Sequence, residues 1–435
     1  MYRTAMEQLY KWKEKKGKKP LIIRGARQVG KTWLMKEFGR EAYRECVYVS
    51  FDNNPRMREL FGKDMNAERI ITGLELYSEK KINPADTLII FDEVQEVPKA
   101  LTSLKYFNEN APQYQIICAG SMLGVALHQG TSFPVGKIEF MDLYPLSFSE
   151  FMKAMGKGRY AELLQKGDYA MVSPFRQEYI DLLKYYYYVG GMPEAVLRFS
   201  ENKDFSEARE IQQRILSAYE QDFSKHAPNE IVPRIRMLWN SIPSQLAKEN
   251  KKFIYGLIKE GARAREYELA MLWLFDCGLI HQVFLAAVPQ LPLKFYEDLK
   301  AFKLYLLDIG LLSCMAGLRQ NVLLDGNDLF KEFKGALTEQ YVLQQLKTLK
   351  NVKPYYWTND RGSAEVDFLI DNGNEIIPLE VKAETNLQAK SLKAFREKFK
   401  PDISVRTSMA DYKEQDGLLN LPLYAIEYIS TAFLC

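Results

Sequence analysis

Residues Gly25 to Thr32 read GARQVGKT and fit G-x-x-x-x-G-K-[ST] without a mismatch. Such a run does one kind of chemistry. Glycines at Gly25 and Gly30 let consecutive amides turn inward around phosphate oxygens. Lys31 is then placed to reach β- and γ-phosphates, and the Thr32 hydroxyl to ligate Mg2+. Ala26, Arg27, Gln28, Val29 and Trp33 complete the expected cradle for ATP or ADP. The apolar run Leu21-Ile22-Ile23 before it predicts a buried strand. Leu34 and Phe38, four apart, predict a helix after it, whose amino end adds a favourable dipole.

Two acids are the natural counterpart. Thr87-Leu88-Ile89-Ile90-Phe91 is a strand-like run ending in Asp92-Glu93. Asp92 is expected to hold Mg2+ through its water shell, and Glu93 to polarise the attacking water. Gln115–Ser121 predicts a further strand, ending in a small polar residue. If it lies between the other two, it aims Ser121 at the γ-phosphate.

A second constellation lies near the carboxyl end. Glu365–Ile370 alternates as a strand, Asp371-Asn372-Gly373-Asn374 is a hairpin turn, and Ile376–Lys382 returns. Asp367, Glu380 and Lys382 can then share one face, with Glu339 supplied by an upstream helix. Two carboxylates and an ammonium suit metal-assisted phosphodiester cleavage: Asp367 and Glu380 around Mg2+ or Mn2+, with Glu339 completing the metal shell and Lys382 steadying water or developing charge. The same residues also fit an edge hairpin with solvated charges.

The elements that must position these groups need more than one core. A chain of 435 residues predicts several domains. A net charge of +3 with 26% charged residues does not by itself mark a nucleic-acid binder. No apolar run is long enough to span a membrane. Five scattered cysteines without C-x-x-C, and three histidines, argue against zinc and for free thiols in the cytoplasm. Pro55–Lys80 reads as helical, and Ser147 with Glu150 as a capping box. Met271, Leu272, Leu274 and Phe275 read as core.

RGARQVGKT, LIIFDE, the Gly120-Ser121 ending and YPLSFSEF together resemble a large prokaryotic family of AAA+-type ATPases, similar to archaeal and STAND-type proteins. The resemblance implies an α/β P-loop NTPase domain over 1–160, a helical lid over 161–230 and a winged helix over 231–325. It also implies that Ser121 is a sensor of the terminal phosphate, and it makes Arg176 and Arg198 candidates for nucleotide sensing. Residues 326–435 resemble the PD-(D/E)XK restriction-endonuclease-like fold, with Val366 in place of the name-giving proline.

Two functions follow as expectations. One is an Mg2+-dependent ATPase that handles DNA, with a metal-dependent nuclease domain. Its nucleic-acid contacts would come from Lys251, Lys252, Lys259, Arg263 and Arg265. Lys353, Arg361, Lys390, Lys393, Arg396 and Lys398 would add to them, with Tyr355, Tyr356 and Trp357 as stacking rings; the same residues equally fit a solvated rim over core aromatics. The other is a switch that binds a protein partner and cleaves nothing. The sequence leaves open whether the chain forms oligomers.

Overall fold

A computed structural model describes residues 1–120, 136–248, 252–321, 331–359, 362–384 and 389–429. The chain divides into two compact units. One comprises Arg3–Tyr144 with Trp273–Leu279; the other comprises Met1–Tyr2, Pro145–Leu272 and Ile280–Cys435.

The first unit is built on a five-stranded, wholly parallel sheet: β1 (Leu21–Arg24), β2 (Glu45–Ser50), β3 (Thr87–Asp92), β4 (Gln115–Ala119) and β5 (Glu139–Asp142). Its order is β2-β3-β4-β1-β5. Every residue of β3 and β4 is buried, as continuous apolar runs require when helices cover both sheet faces. β4 pairs with both β1 and β3, the intermediate place expected of it. The carboxyl ends of β1 and β3 thus flank a topological switch point, where such sheets bind ligands. Phe51, Phe61 and Phe91 pack edge to face at 5.3 to 5.7 Å in the core.

The helix expected over 55–80 is two helices, Pro55–Lys63 and Ala67–Ser78. The chain is extended at Asp64, whose carboxylate pairs with Arg69 at 2.9 Å, and the Asn66 side chain caps the second helix. Local side-chain hydrogen bonds there outcompete a continuous helix.

The second unit opens with helix Phe148–Ala154, whose capping box of Ser147 and Glu150 is present as expected. Helices Arg176–Val189, Pro193–Asn202, Phe205–His226 and Val232–Leu246 follow. An eight-stranded sheet has the order β12-β13-β11-β10-β9-β8-β6-β7. Its strands are β6 (Ile280–Ala286), β7 (Glu297–Leu306), β8 (Tyr355–Thr358), β9 (Glu365–Asp371), β10 (Ile376–Val381), β11 (Ser404–Ser408), β12 (Lys413–Gln415) and β13 (Leu418–Pro422). The β9–β10 hairpin has the expected antiparallel register, with Ile370 opposite Ile377. β6 and β7 form the hairpin expected of a wing, but Leu285 of β6 also pairs with Tyr356 of β8. The expected boundary at 325/326 therefore falls inside one hydrogen-bonded sheet.

Asp308 ties this unit together. Its buried carboxylate accepts from the amides of Gly191 (2.6 Å) and Leu311 (3.0 Å) and from Gln344 (3.1 Å). Gly190, at φ +73°, leaves no room for a side chain: a Cβ would lie 2.2 Å from Asp308 Oδ1.

Helix Ala264–Asp276 corrects one expectation. Met271 and Leu274 are buried, but Leu272 and Phe275 are 46% and 48% exposed, because 3.6-residue periodicity turns them to the other face. Among the described residues, no helix is long and apolar enough to cross a membrane.

Candidate functional site

The phosphate loop is a strained backbone held from several sides. Gly25 sits at φ +152°, where a Cβ would lie 2.2 Å from the Leu143 carbonyl oxygen. Gln28 (φ +67°) and Gly30 (φ +94°) also lie in the left-handed region. Gly30 caps helix Lys31–Ala42, so the amino end of that helix opens directly from the loop. Val29 and Ala26 are buried, whereas Trp33 is 41% exposed. Arg27 and Gln28 face solvent.

Lys31 is buried, and its Nζ donates to the carbonyls of Gly25 (2.9 Å) and Ala26 (2.8 Å). Burial pushes its pKa down to about 8, against the opposing pull of Glu93 and Asp92. A phosphate anion arriving here would restore the charge that burial disfavours.

Thr32 and Asp92 meet. Thr32 Oγ1 donates to Asp92 Oδ2 at 2.7 Å, joining the start of the helix to the end of β3. Hydroxyl and carboxylate oxygens are the donor set Mg2+ takes, and here two of them are already side by side. Glu93 follows at φ +52°, with Gln95 Nε2 donating to its Oε2 at 2.6 Å. Ser121 lies outside the described residues.

Three supporting residues carry no sequence signal of their own. Arg3, buried, donates to the carbonyls of Val29 (3.0 Å) and Tyr144 (2.6 Å). The Tyr48 hydroxyl donates to Asp92 Oδ2 at 3.0 Å, and Gln95 reaches Glu93 as above. Gly278 also lies close to the loop: a Cβ there would lie 3.3 Å from the Ala26 nitrogen.

At the carboxyl end, Asp367, Glu380, Lys382 and Glu339 do come together, with the polarity of their surroundings altered by a residue the sequence reading left out. Lys303, on β7 and completely buried, places Nζ 2.5 Å from Glu365 Oε1, 3.6 Å from Glu339 Oε2 and 3.9 Å from Asp367 Oδ1. Asp367 Oδ2 accepts from the Val381 amide at 2.8 Å, and Lys382 Nζ donates to Glu380 Oε1 at 2.7 Å. Burial opposes the charge on Lys303, but Glu339, Tyr305, Glu365 and Asp367 outweigh it and hold its pKa well above the ordinary value. Burial raises the Glu380 pKa, with Lys382 pulling the other way.

A lysine ammonium among these carboxylates does not fit the expected divalent metal. Among the described residues, no group of three or more His, Cys, Asp or Glu side chains is arranged to hold one. The signal for Lys303 was a lone lysine in the otherwise apolar run AFKLYLL.

The expected nucleic-acid surface also changes. Tyr355, Tyr356 and Trp357 are at most 3% exposed, so their rings pack the core and offer no face to a base. Tyr355, Tyr356 and Trp357 are consecutive on β8 and all three are buried, so both faces of that strand are covered. Lys353 pairs with Glu297 at 2.7 Å. Lys390, Lys393 and Lys398 are exposed, and Arg396 donates to the Asp416 carbonyl. Lys252, Lys259, Arg263 and Arg265 are exposed; Lys251 and Arg361 lie outside the described residues. Arg176 pairs with Asp411 and Arg198 with Glu201, both at the surface.

Residues 17–152 match the AAA domain family. With the sheet order and the loop geometry, this defines the first unit as a P-loop domain of AAA type. Residues 180–322 match a domain of unknown function (DUF8612) and residues 334–426 another (DUF4143). No curated protein matches the chain. Among solved structures, the chain is similar to the Walker-type ATPase PABY2304 of Pyrococcus abyssi, with 16% identity over 71% of this chain and 94% of that one (TM-score 0.42). It is also similar to the Aeropyrum pernix ORC1 protein in complex with DNA, with 12% identity over 72% and 90% of the two chains (TM-score 0.28). Cdc6p from Pyrobaculum aerophilum shows 11% identity over 74% and 93% (TM-score 0.26).

Proposed function

We propose that this protein is an Mg2+-dependent ATPase of AAA type that acts in the cytoplasm. The observation that carries this reading is the junction of Thr32 with Asp92 at 2.7 Å, beside a buried Lys31 that donates to loop carbonyls. The amides of Gly25–Thr32 bind the phosphates of ATP, and Lys31 exchanges its carbonyl partners for phosphate oxygens. Thr32 and Asp92 hold Mg2+, which when bound neutralises charge on the phosphates. Glu93 orients the attacking water and accepts its proton. Ser121 reads the terminal phosphate.

Turnover in this reading is transmitted to DNA through the exposed Lys252, Lys259, Arg263 and Arg265. A second reading, a switch that grips a protein partner, is favoured by a different observation. Phe295 and Leu299 are 84% and 69% exposed beside the β6–β7 connection, an apolar presentation better suited to protein than to phosphate.

Calorimetric titration with Mg-ATP tests the core of the proposal. Lys31→Ala is expected to lose binding, and Glu93→Gln to bind normally while phosphate release slows by about 100-fold or more. Undiminished affinity in the Lys31 variant sinks it. Nucleotide-dependent capture of duplex DNA, or of protein in its place, separates the two readings.

A further inference from the structure

The β6–β7 hairpin delivers one charged side chain to a place where water does not reach. Lys303 is 0% exposed. Strand alternation puts Lys303 and Tyr305 on one face of β7, and Glu365 and Asp367 on one face of β9. Lys303 Nζ lies 5.1 Å from the centre of the Tyr356 ring, on β8, one of the two strands between β7 and β9, and ends within 4 Å of Glu339, Glu365 and Asp367. The Tyr305 hydroxyl donates to the same Glu339 oxygen at 3.2 Å.

An ammonium stripped of water is costly unless anions surround it, and buried carboxylates are costly unless a cation does. Each side of this cluster answers the other. A divalent metal needs its oxygens at roughly 2.0–2.6 Å; here the carboxylates face an ammonium instead, at 2.5, 3.6 and 3.9 Å.

We propose that Lys303 is the resident cation of this acidic cluster, standing where a divalent metal would stand in a nuclease of similar layout. The carboxyl-terminal sheet then takes no metal at this cluster. Glu380 Oε2 is buried and has no hydrogen-bond partner among the described residues. It is the oxygen that, with Asp367 and Glu339, an ion would gain if the lysine were shortened. The proposal does not depend on the ATPase reading, since none of its residues belongs to the phosphate-loop unit.

The test uses the full chain without nucleotide, carrying Asp92→Asn to silence the phosphate-loop metal site. Bound Mn2+ is counted by electron paramagnetic resonance of the free ion. With Lys303 present, no Mn2+ that depends on Asp367 is expected. Lys303→Met is expected to bind one Mn2+ per chain, lost again when Asp367→Asn is added. Mn2+ held in the presence of Lys303 and released by Asp367→Asn overturns the proposal, as does a folded Lys303→Met chain that binds none. If Lys303→Met does not fold alone, melting with and without Mn2+ replaces the count. A gain of structure with Mn2+ that Asp367→Asn abolishes supports the proposal, and no gain overturns it.

Discussion

Arg3 donates to the carbonyl of Val29, 26 residues further along and in the middle of the phosphate loop. Its other nitrogen reaches the Tyr144 carbonyl, so one guanidinium joins the loop to the end of the first unit. Arg3→Ala would leave both carbonyls without their charged donor. It is expected to cost about 2 kcal/mol of stability in this unit and to weaken ATP binding, read together by thermal melting and calorimetry. Unchanged melting and affinity would show that the contact is idle.

Gly25 is irreplaceable on steric grounds. Its φ of +152° and the Leu143 oxygen, 2.2 Å from where a Cβ would go, mean that Gly25→Ala must move backbone. A loss of at least about 2 kcal/mol is expected in chemical denaturation, with nucleotide binding lost in the folded fraction. Ala at Gly136, where a Cβ meets nothing within 4 Å, should cost less although its φ is also positive, at +75°.

Tyr48 and Thr32 donate to the same oxygen of Asp92. Tyr48→Phe keeps the ring and removes the 3.0 Å hydrogen bond. The Mg2+-dependent part of ATP affinity should fall about fivefold, equivalent to about 1 kcal/mol. Affinity without Mg2+ should not change. Equal loss in both conditions would place Tyr48 outside the metal's support.

One carboxyl gives a pH signature. Burial pushes Glu427 up to about 7, although it accepts a 3.0 Å hydrogen bond from the Ser149 amide. Between the ordinary value of 4.5 and about 7, the folded protein keeps a proton that the unfolded chain has released. This contribution is therefore full below 4.5 and is lost as pH rises to about 7. His281, pushed by burial down to about 3, has the opposite slope, losing stability as pH falls below 6.5. The measurement is thus a difference. Melting temperatures of wild type and Glu427→Gln should diverge in favour of the variant as pH rises through this window. Parallel curves would show that the carboxyl titrates normally.

What could be read from the sequence was local. GARQVGKT, the apolar strand before Asp92 and the Asn-Gly hairpin each carry their geometry in a dozen residues, and β1, β3, β9 and β10 form where those signals lie. Residues that arrive from a distance could not be read. Arg3 precedes its partner loop by more than a helix, and Lys303 meets Glu365 across 62 positions of chain, which is the difference of their numbers. Tyr355, Tyr356 and Trp357 misled because aromatic residues beside lysines look alike in a stacking platform and in a strand covered on both faces; only burial separates them.

Trp273–Leu279 belongs to the phosphate-loop unit although about 130 residues separate it from Tyr144. With Gly278 against the Ala26 backbone, the nucleotide domain is completed by a late segment. During synthesis, the early strands leave the ribosome well before the piece that finishes their surface, so this domain matures only after much of its neighbour has been made. A fragment cut at residue 160 would carry the full motif yet lack one wall.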